Sequence, residues 1–231
     1  IAARPSLGKT TLVLQWLTNI ARQGVPCAFF SLETQTTNLV LRHLSSAADI
    51  GLQRIREGRL SKSRDVPRLM EAARESAKLP LYVLDSALTT ADLKRHARRL
   101  RERHGVKVIA IDYIQLLSPS TKAGQRNGYE AVSEAGQALK DLSQEGFIII
   151  GISQLNRSGD ENSRPKMTHL RESGMLEQAA TAIGLLWEPE KTEGSSKSVV
   201  EFILPKQKDG STGSFRMNFR KDLLSFDDKE D

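Results

Sequence analysis

"IAARPSLGKT", Ile1 to Thr10, is the stretch on which the reading of the whole chain turns. Its last three residues, Gly8, Lys9 and Thr10, match the end of the phosphate-binding pattern G-x-x-x-x-G-K-[ST]; the position of the first glycine carries Ala3. In such a loop, backbone N–H groups wrap phosphates, and the helix that follows points the positive end of its dipole at them. The candidate loop comprises Ala3, Arg4, Pro5, Ser6, Leu7, Gly8, Lys9, Thr10 and Thr11. Lys9 would reach the β- and γ-phosphates, and the Thr10 hydroxyl would ligate Mg²⁺. Ala3 matters only if its position demands positive φ, since a small residue with ordinary φ still fits. Gly8 stands where the backbone must approach phosphate most closely.

Downstream of the loop, "TTLVLQWLTNIARQG" carries apolar residues at helical spacing and stops at Gly24. "PCAFFSL", "LPLYVLD", "VKVIAIDYIQLL" and "FIIIGISQ" are short apolar runs of the kind that form buried parallel strands. Helical patterns separate them: "TNLVLRHLSSAA", "VPRLMEAARESAK", "TADLKRHARRLRERHG" and "EAVSEAGQALKDLSQEG". Strands alternating with helices predict βαβ crossovers and an α/β fold, a mostly parallel twisted sheet flanked by helices. After a helix near "ESGMLEQAA", the runs "TAIGLLW", "SVVEFILPKQ" and "GSFRMNFRK" predict an antiparallel extension near the C-terminus. One domain, 1–226, with an acidic tail, 227–231, is the expected organisation.

Composition narrows the function classes. The 231 residues hold 39% hydrophobic and 27% charged residues, which is ordinary globular composition. No apolar run approaches the roughly 18 residues that span a membrane. A single cysteine, Cys27 in "VPCAFF", excludes an internal disulfide framework and predicts a small buried core residue. The four histidines lack metal-ligand spacing, and an intracellular, reducing compartment fits. The net charge of +6 permits a polyanionic partner without demonstrating one.

Three strand ends supply chemistry beside the loop. Asp112 closes "VIAIDY", and a carboxylate at the C-terminal edge of a parallel sheet lies where such sheets bind ligands, here to support magnesium. Glu33 closes "AFFSLE" and suits a base that orients the attacking water. Gln154 closes "IIIGISQ"; its uncharged amide can sense a γ-phosphate without competing for the metal.

Taken with the loop, these ends resemble the RecA-like P-loop ATPases, and more closely the DnaB-like replicative helicases. "AARPSLGKT", "VPCAFFSLE", "VIAIDYIQLL", "ISQLNR", "HLRESGMLEQAA" and "KQKDGSTG" carry the resemblance, in that family's order, over nearly the whole chain. It implies ATP and Mg²⁺ as cofactors, a homohexameric ring, and 5′ to 3′ translocation on single-stranded DNA with duplex unwinding. The family tolerates alanine at Ala3. Its motor domain follows an N-terminal domain, a linker helix and a full first strand, of which only Ile1 and Ala2 stand here. Primase and a helicase loader are implied partners, with no membrane. The implied setting is the cytoplasm, at a bacterial nucleoid or replisome or in phage or plasmid replication. From "KQKDG" the resemblance implies that Lys206 and Lys208 act in trans on a neighbour's γ-phosphate. The family normally has arginine at position 208, and lysine offers a point charge where arginine offers a fork. For DNA contact it implies Arg171, Glu172 and Gly174 of "RESG", with Lys122 and Arg126 of the loop "SPSTKAGQRNG". Aromatic residues are absent from both, so sequence-independent, salt-sensitive binding is expected.

Two further readings stay compatible with the residues: a RadA-type recombination ATPase, which shares a lysine finger, and a nucleotide-gated assembly or loading module with little turnover. The most basic stretch, "LKRHARRLRERHG", is expected to be a packed helix with a solvated face. Trp16 and Trp187 are expected in the core or an interface.

Overall fold

Apolar runs become strands and amphipathic ones become helices in the computed structural model, which describes residues 1–120, 128–155, 163–190 and 195–229. The strands are β1 (Ala2–Ala3), β2 (Cys27–Ser31), β3 (Leu81–Leu84), β4 (Val108–Asp112), β5 (Ile148–Gly151), β6 (Ser153–Gln154), β7 (Ala182–Trp187), β8 (Lys197–Gln207), β9 (Gly213–Arg220) and β10 (Ser225–Asp228). The helices are α1 (Lys9–Arg22), α2 (Thr36–Ala48), α3 (Leu52–Arg56), α4 (Asp65–Ala77), α5 (Thr90–His104), α6 (Gly128–Gln144) and α7 (Gly174–Ala179). Two 3₁₀ turns, Ile114–Leu116 and Met167–Ser173, follow β4 and precede α7.

β3-β2-β4-β5 form a parallel sheet, and β6-β1-β7-β8-β9-β10 a mixed one whose last four strands run antiparallel. The two sheets meet along residues 148–154. Ile152 donates its N–H to Ile111 O on one side, and Ser153 donates to Ile1 O on the other, both at 2.9 Å. The expected parallel sheet with an antiparallel extension is therefore what forms. Asp227 and Asp228, read as part of the tail, pair with Asn218 and Met217 in β10.

Strand alternation sorts the core into layers. Ala28, Phe30, Ile109 and Ile111 face α5 and α6 through Leu93, Ala97, Leu139 and Leu142. Cys27, Phe29, Val108 and Ala110 face α1 and α2 through Val13, Leu17 and Leu39. Cys27 is fully buried, and burial pushes its thiol up to about 11, as a core cysteine requires. In the mixed sheet, Ala3, Leu186, Val200 and Phe202 pack on Leu12 and Trp16 of α1, while Ala2, Ile183, Leu185 and Ile203 pack on Leu170. Trp16 lies 5.8 Å from Phe202 between ring centroids, and Trp187 borders the Leu170 cluster.

The basic helix α5 is a packed helix with a solvated face, as its spacing predicts. Lys94 pairs with Asp141 at 2.5 Å, Arg98 grips Glu145 at 2.6 Å, and the Arg101 guanidinium sits 4.5 Å over the Phe147 ring. Its N-terminus is closed by a capping box in which Thr89 and Asp92 satisfy each other's backbone N–H groups.

Candidate functional site

The loop between β1 and α1 begins from an ordinary strand. Ala3 pairs with Gln154 in β1, is fully buried, and is not among the residues of positive φ. A first glycine is therefore not required for conformation. The demanding positions are Ser6, with φ of 64°, and Gly8, with φ of 81°. Gly8 is needed for a second reason: a Cβ there would stand 2.9 Å from Phe226 Cζ and 3.0 Å from Phe219 Cζ. Those two rings stack with centroids 4.4 Å apart and form the floor behind the loop. Gln15 ties that floor to α1, donating to Phe226 O at 2.7 Å and accepting from Phe226 N–H at 2.9 Å.

α1 and α5 differ at their N-termini. α5 satisfies its first N–H groups with its own side chains, whereas α1 has no side-chain cap and no acidic residue in its first turn. An uncapped N-terminus behind a glycine loop fits an anion, phosphate above all. Lys9 Nζ donates to Ala3 O and Arg4 O, each at 3.0 Å, so its ammonium lies folded over the loop it would help to fill. Burial pulls the Lys9 amine below its ordinary 10.5, and the nearby Asp112 and Glu33 carboxylates offset part of that fall.

β4 delivers Asp112 to the same edge. The carboxylate is buried and accepts from the Thr10 hydroxyl at 2.5 Å. Burial raises its carboxyl above 3.8, with Glu33 adding to the rise and the Thr10 hydrogen bond, Lys9 and Arg42 opposing it. A hydroxyl and a carboxylate oxygen are hard donors suited to Mg²⁺, which keeps water and phosphate oxygens as its other ligands. Among the described residues no cluster of three or more His, Cys, Asp or Glu side chains could hold a metal ion. Glu33 is exposed just beyond β2, on a turn in which Ser31 Oγ accepts from Thr34 N–H. Its charge is felt by Lys9, Asp112 and Tyr113, so it faces the same site. Gln154 stands in β6, beside Ala3.

Lys9, Thr10, Asp112, Glu33 and Gln154 thus share one edge. Lys206 and Lys208 do not. Lys206 pairs with Ile183, and the Lys208 N–H bonds Thr181 O at 3.0 Å. Because Ala2 is level with Leu185, Lys208 sits four residues below it, about 13 Å along the strand on the side away from the loop. Lys208 is exposed, whereas the half-buried Lys206 donates to Glu177 O at 2.5 Å. Arg171 and Glu172 belong to the 3₁₀ turn before α7, and Gly174 opens α7, their side chains lying outside the described parts. Lys122 and Arg126 lie outside the described residues.

Three residues were not foreseen. Arg42 of α2 acts on Asp112, and its Nε is buried without a hydrogen-bond partner among the described residues. The signal was a charge on the helix stripe that runs through the buried Leu39 and Ser45. Phe219 and Phe226 floor the loop from more than 200 residues away, which no local pattern announces.

The family model for the DnaB-like helicase C-terminal domain matches residues 1–228. The replicative DNA helicase DnaB of Geobacillus stearothermophilus is 33% identical over 98% of this chain and 51% of its own length. The replicative DNA helicase DnaC of Bacillus subtilis is 32% identical over the same shares. A solved DnaB-like replicative helicase, determined with its interactions with primase, superposes with a TM-score of 0.90 at 29% identity, covering 99% of this chain and 56% of that one. The chain spans about half the length of the curated relatives it matches. It belongs to the DnaB-like helicase C-terminal domain family. Among the described residues no helix is long and apolar enough to cross a membrane.

Proposed function

We propose that this chain is the ATP-hydrolysing motor of a ring-shaped replicative helicase, one that moves along single-stranded DNA and separates the duplex ahead. The observation that carries the reading is the Thr10 to Asp112 hydrogen bond, which joins the phosphate loop to the acidic strand end at one sheet edge. The α1 N-terminus and the loop N–H groups bind the phosphates of ATP, and Lys9 leaves its two carbonyls to neutralise them. Thr10 and Asp112 hold Mg²⁺. Bound MgATP supplies an electrophilic γ-phosphorus and a good leaving group. Glu33 orients the attacking water and receives its proton, and Gln154 reports γ-phosphate occupancy to β1 and the 148–154 strand.

Lys206 and Lys208 stand too far from this chain's own loop to serve it, which supports a role on a neighbouring subunit's nucleotide. Lys208, exposed at the end of β8, is the better placed of the two, with a point charge where arginine would offer a fork. The segment around Arg171 and Gly174 holds the DNA backbone without reading bases, so affinity falls steeply with salt. Primase and a loader are the partners this reading implies, following the relative solved with primase.

The test is ATP turnover across protein concentration, with and without single-stranded DNA, beside a Lys9→Ala control. Turnover that rises more than linearly with protein and is stimulated by DNA is expected. Flat, DNA-indifferent turnover in a protein that still binds ATP tightly would replace the motor with an assembly module.

A further inference from the structure

The segment 164–179 has little to hold it by itself. It consists of a 3₁₀ turn and a helix of six residues, well short of the roughly 12 residues at which a helix persists alone. Leu170 is its buried anchor, set on Ala2, Ile183, Leu185 and Ile203, and Pro165 is buried as well. Leu176 of α7 packs on the cluster that includes Ala135, Leu139 and Leu142 of α6, and two polar contacts come from β8. Arg164, at the start of the segment, lays a two-pronged grip on Glu201, with Nη2 at 2.6 Å and Nε at 3.2 Å from the two carboxylate oxygens. Lys206 donates to Glu177 O at 2.5 Å in the last turn of α7, where a carbonyl has lost its helical partner and the dipole favours a cation.

Both contacts come from one face of β8, and a register shift makes this so. Ile183 pairs with Lys206 but Leu185 pairs with Ile203, so three steps on β8 oppose two on β7. The extra residue falls at Leu204–Pro205. Without it, Glu201 and Lys206 would point to opposite faces, since side chains alternate along a strand. With it, Glu201, Ile203 and Lys206 all face the 164–179 segment. The Glu201 side chain is 10% exposed and that of Arg164 50% exposed, so salt screens the pair only in part. Ser214 on β9 accepts a further bond from Arg164 at 3.3 Å.

We infer that β8 is a two-point clamp on this segment, and that Arg164, Glu201 and Lys206 are positioning residues for the part of the chain that holds DNA. The inference rests on the proposed reading of Arg171 and Gly174 as backbone-binding residues. The clamp makes the same strand serve two ends: its turn carries Lys208 toward a neighbouring nucleotide, and its bulged face grips the DNA segment. A shift of β8 on nucleotide turnover would then move the DNA segment directly.

The experiment compares wild type with Arg164→Gln, Arg164→Lys and Glu201→Gln in the full chain. Basal ATP turnover is measured first, then affinity for a labelled oligo-dT strand, DNA stimulation of turnover, and amide hydrogen exchange. For Arg164→Gln the expected result is basal turnover within about twofold of wild type, oligo-dT affinity and stimulation down about tenfold, and faster exchange confined to 167–179. Arg164→Lys should recover part of the affinity, because charge returns without the fork. Lys206→Met is read by exchange alone and should loosen the α7 end of the same segment. Unchanged affinity, stimulation and exchange in Arg164→Gln overturns the clamp. Exchange that rises evenly across the mixed sheet also overturns it, since that is a general loss of stability. Wild type that ignores DNA overturns the reading underneath, a failure visible before any variant is made.

Discussion

The parallel and antiparallel halves of the sheet use similar residues to different ends. In the parallel half, β2, β4 and β6 all finish at the edge where β1 passes into the loop, so Glu33, Asp112 and Gln154 arrive there by register alone. In the antiparallel half, successive strands finish at opposite edges, and β8 carries Lys206 and Lys208 away from the loop. Groups that must meet within one chain come from parallel strands. Antiparallel strands give supports, as Phe219 and Phe226 do behind the loop and Lys206 does at the end of α7.

The sharpest way to break that division is Glu33→Gln. With the nucleotide-binding residues untouched, ATP should still bind while turnover falls by about 10²–10⁴, the usual worth of a positioned base. Turnover near that of wild type would remove Glu33 from the role. Phe226→Ala asks whether the antiparallel half only supports. A buried aromatic truncation costs about 3–5 kcal/mol, and the loss should appear in chemical denaturation together with weakened ATP binding. Gly8→Ala should cost about 1–3 kcal/mol through its positive φ, and more if the phenyl rings do not give way.

A gentler probe is pH. Burial raises the Asp112 carboxyl above 3.8, so the folded chain takes up a proton that the unfolded chain has not yet bound. Stability from this group therefore grows as pH falls through the raised value, and the buried charge is a cost above it. Two results follow. Mg²⁺ dependence should steepen on the acid side, where proton and metal compete. In nucleotide-free protein at neutral pH, Asp112→Asn should raise Tm by about 2–4 °C, the shift for about 1 kcal/mol in a chain this long, while turnover is lost. The smallest effect belongs to α5. Arg98→Ala, at a half-exposed ion pair, should change stability by about 1 kcal/mol or less and leave oligo-dT affinity alone. A large loss of affinity there would reopen the basic helix as a DNA surface.

Much of the parallel half could be read from the chain because its signals are local. Buried strands show as unbroken apolar runs, and a polar residue at the end of each marks the edge, as Asp112 does after "VIAI". The Ala3 question was also answerable in principle, since it turned on one dihedral. The antiparallel half was legible as strands but not as contacts. The bulge at Leu204–Pro205 decides which way Lys206 faces, and Pro205 within "SVVEFILPKQ" is its one local signal, since proline inside a strand is confined to edges, strand starts and bulges. Arg42 stands out only as a charge among the apolar residues of "NLVLRHL" in α2, and its acceptor-free Nε is a matter of three-dimensional packing. The Glu201 grip on Arg164 joins residues 37 apart across two elements, beyond any window of periodicity.

Gln15 bonded to Phe226 on both its backbone N–H and C=O has a consequence for synthesis. Phe226, part of the floor of the phosphate loop, is made 211 residues after Gln15 in the helix that follows the loop. Until β9 and β10 emerge, Gly8 has no rings behind it and α1 has nothing on one flank. A chain whose β9 and β10 have not yet formed should therefore bind ATP poorly. The cost is a slow, long-range closing step during which the apolar side of α1 is exposed to aggregation.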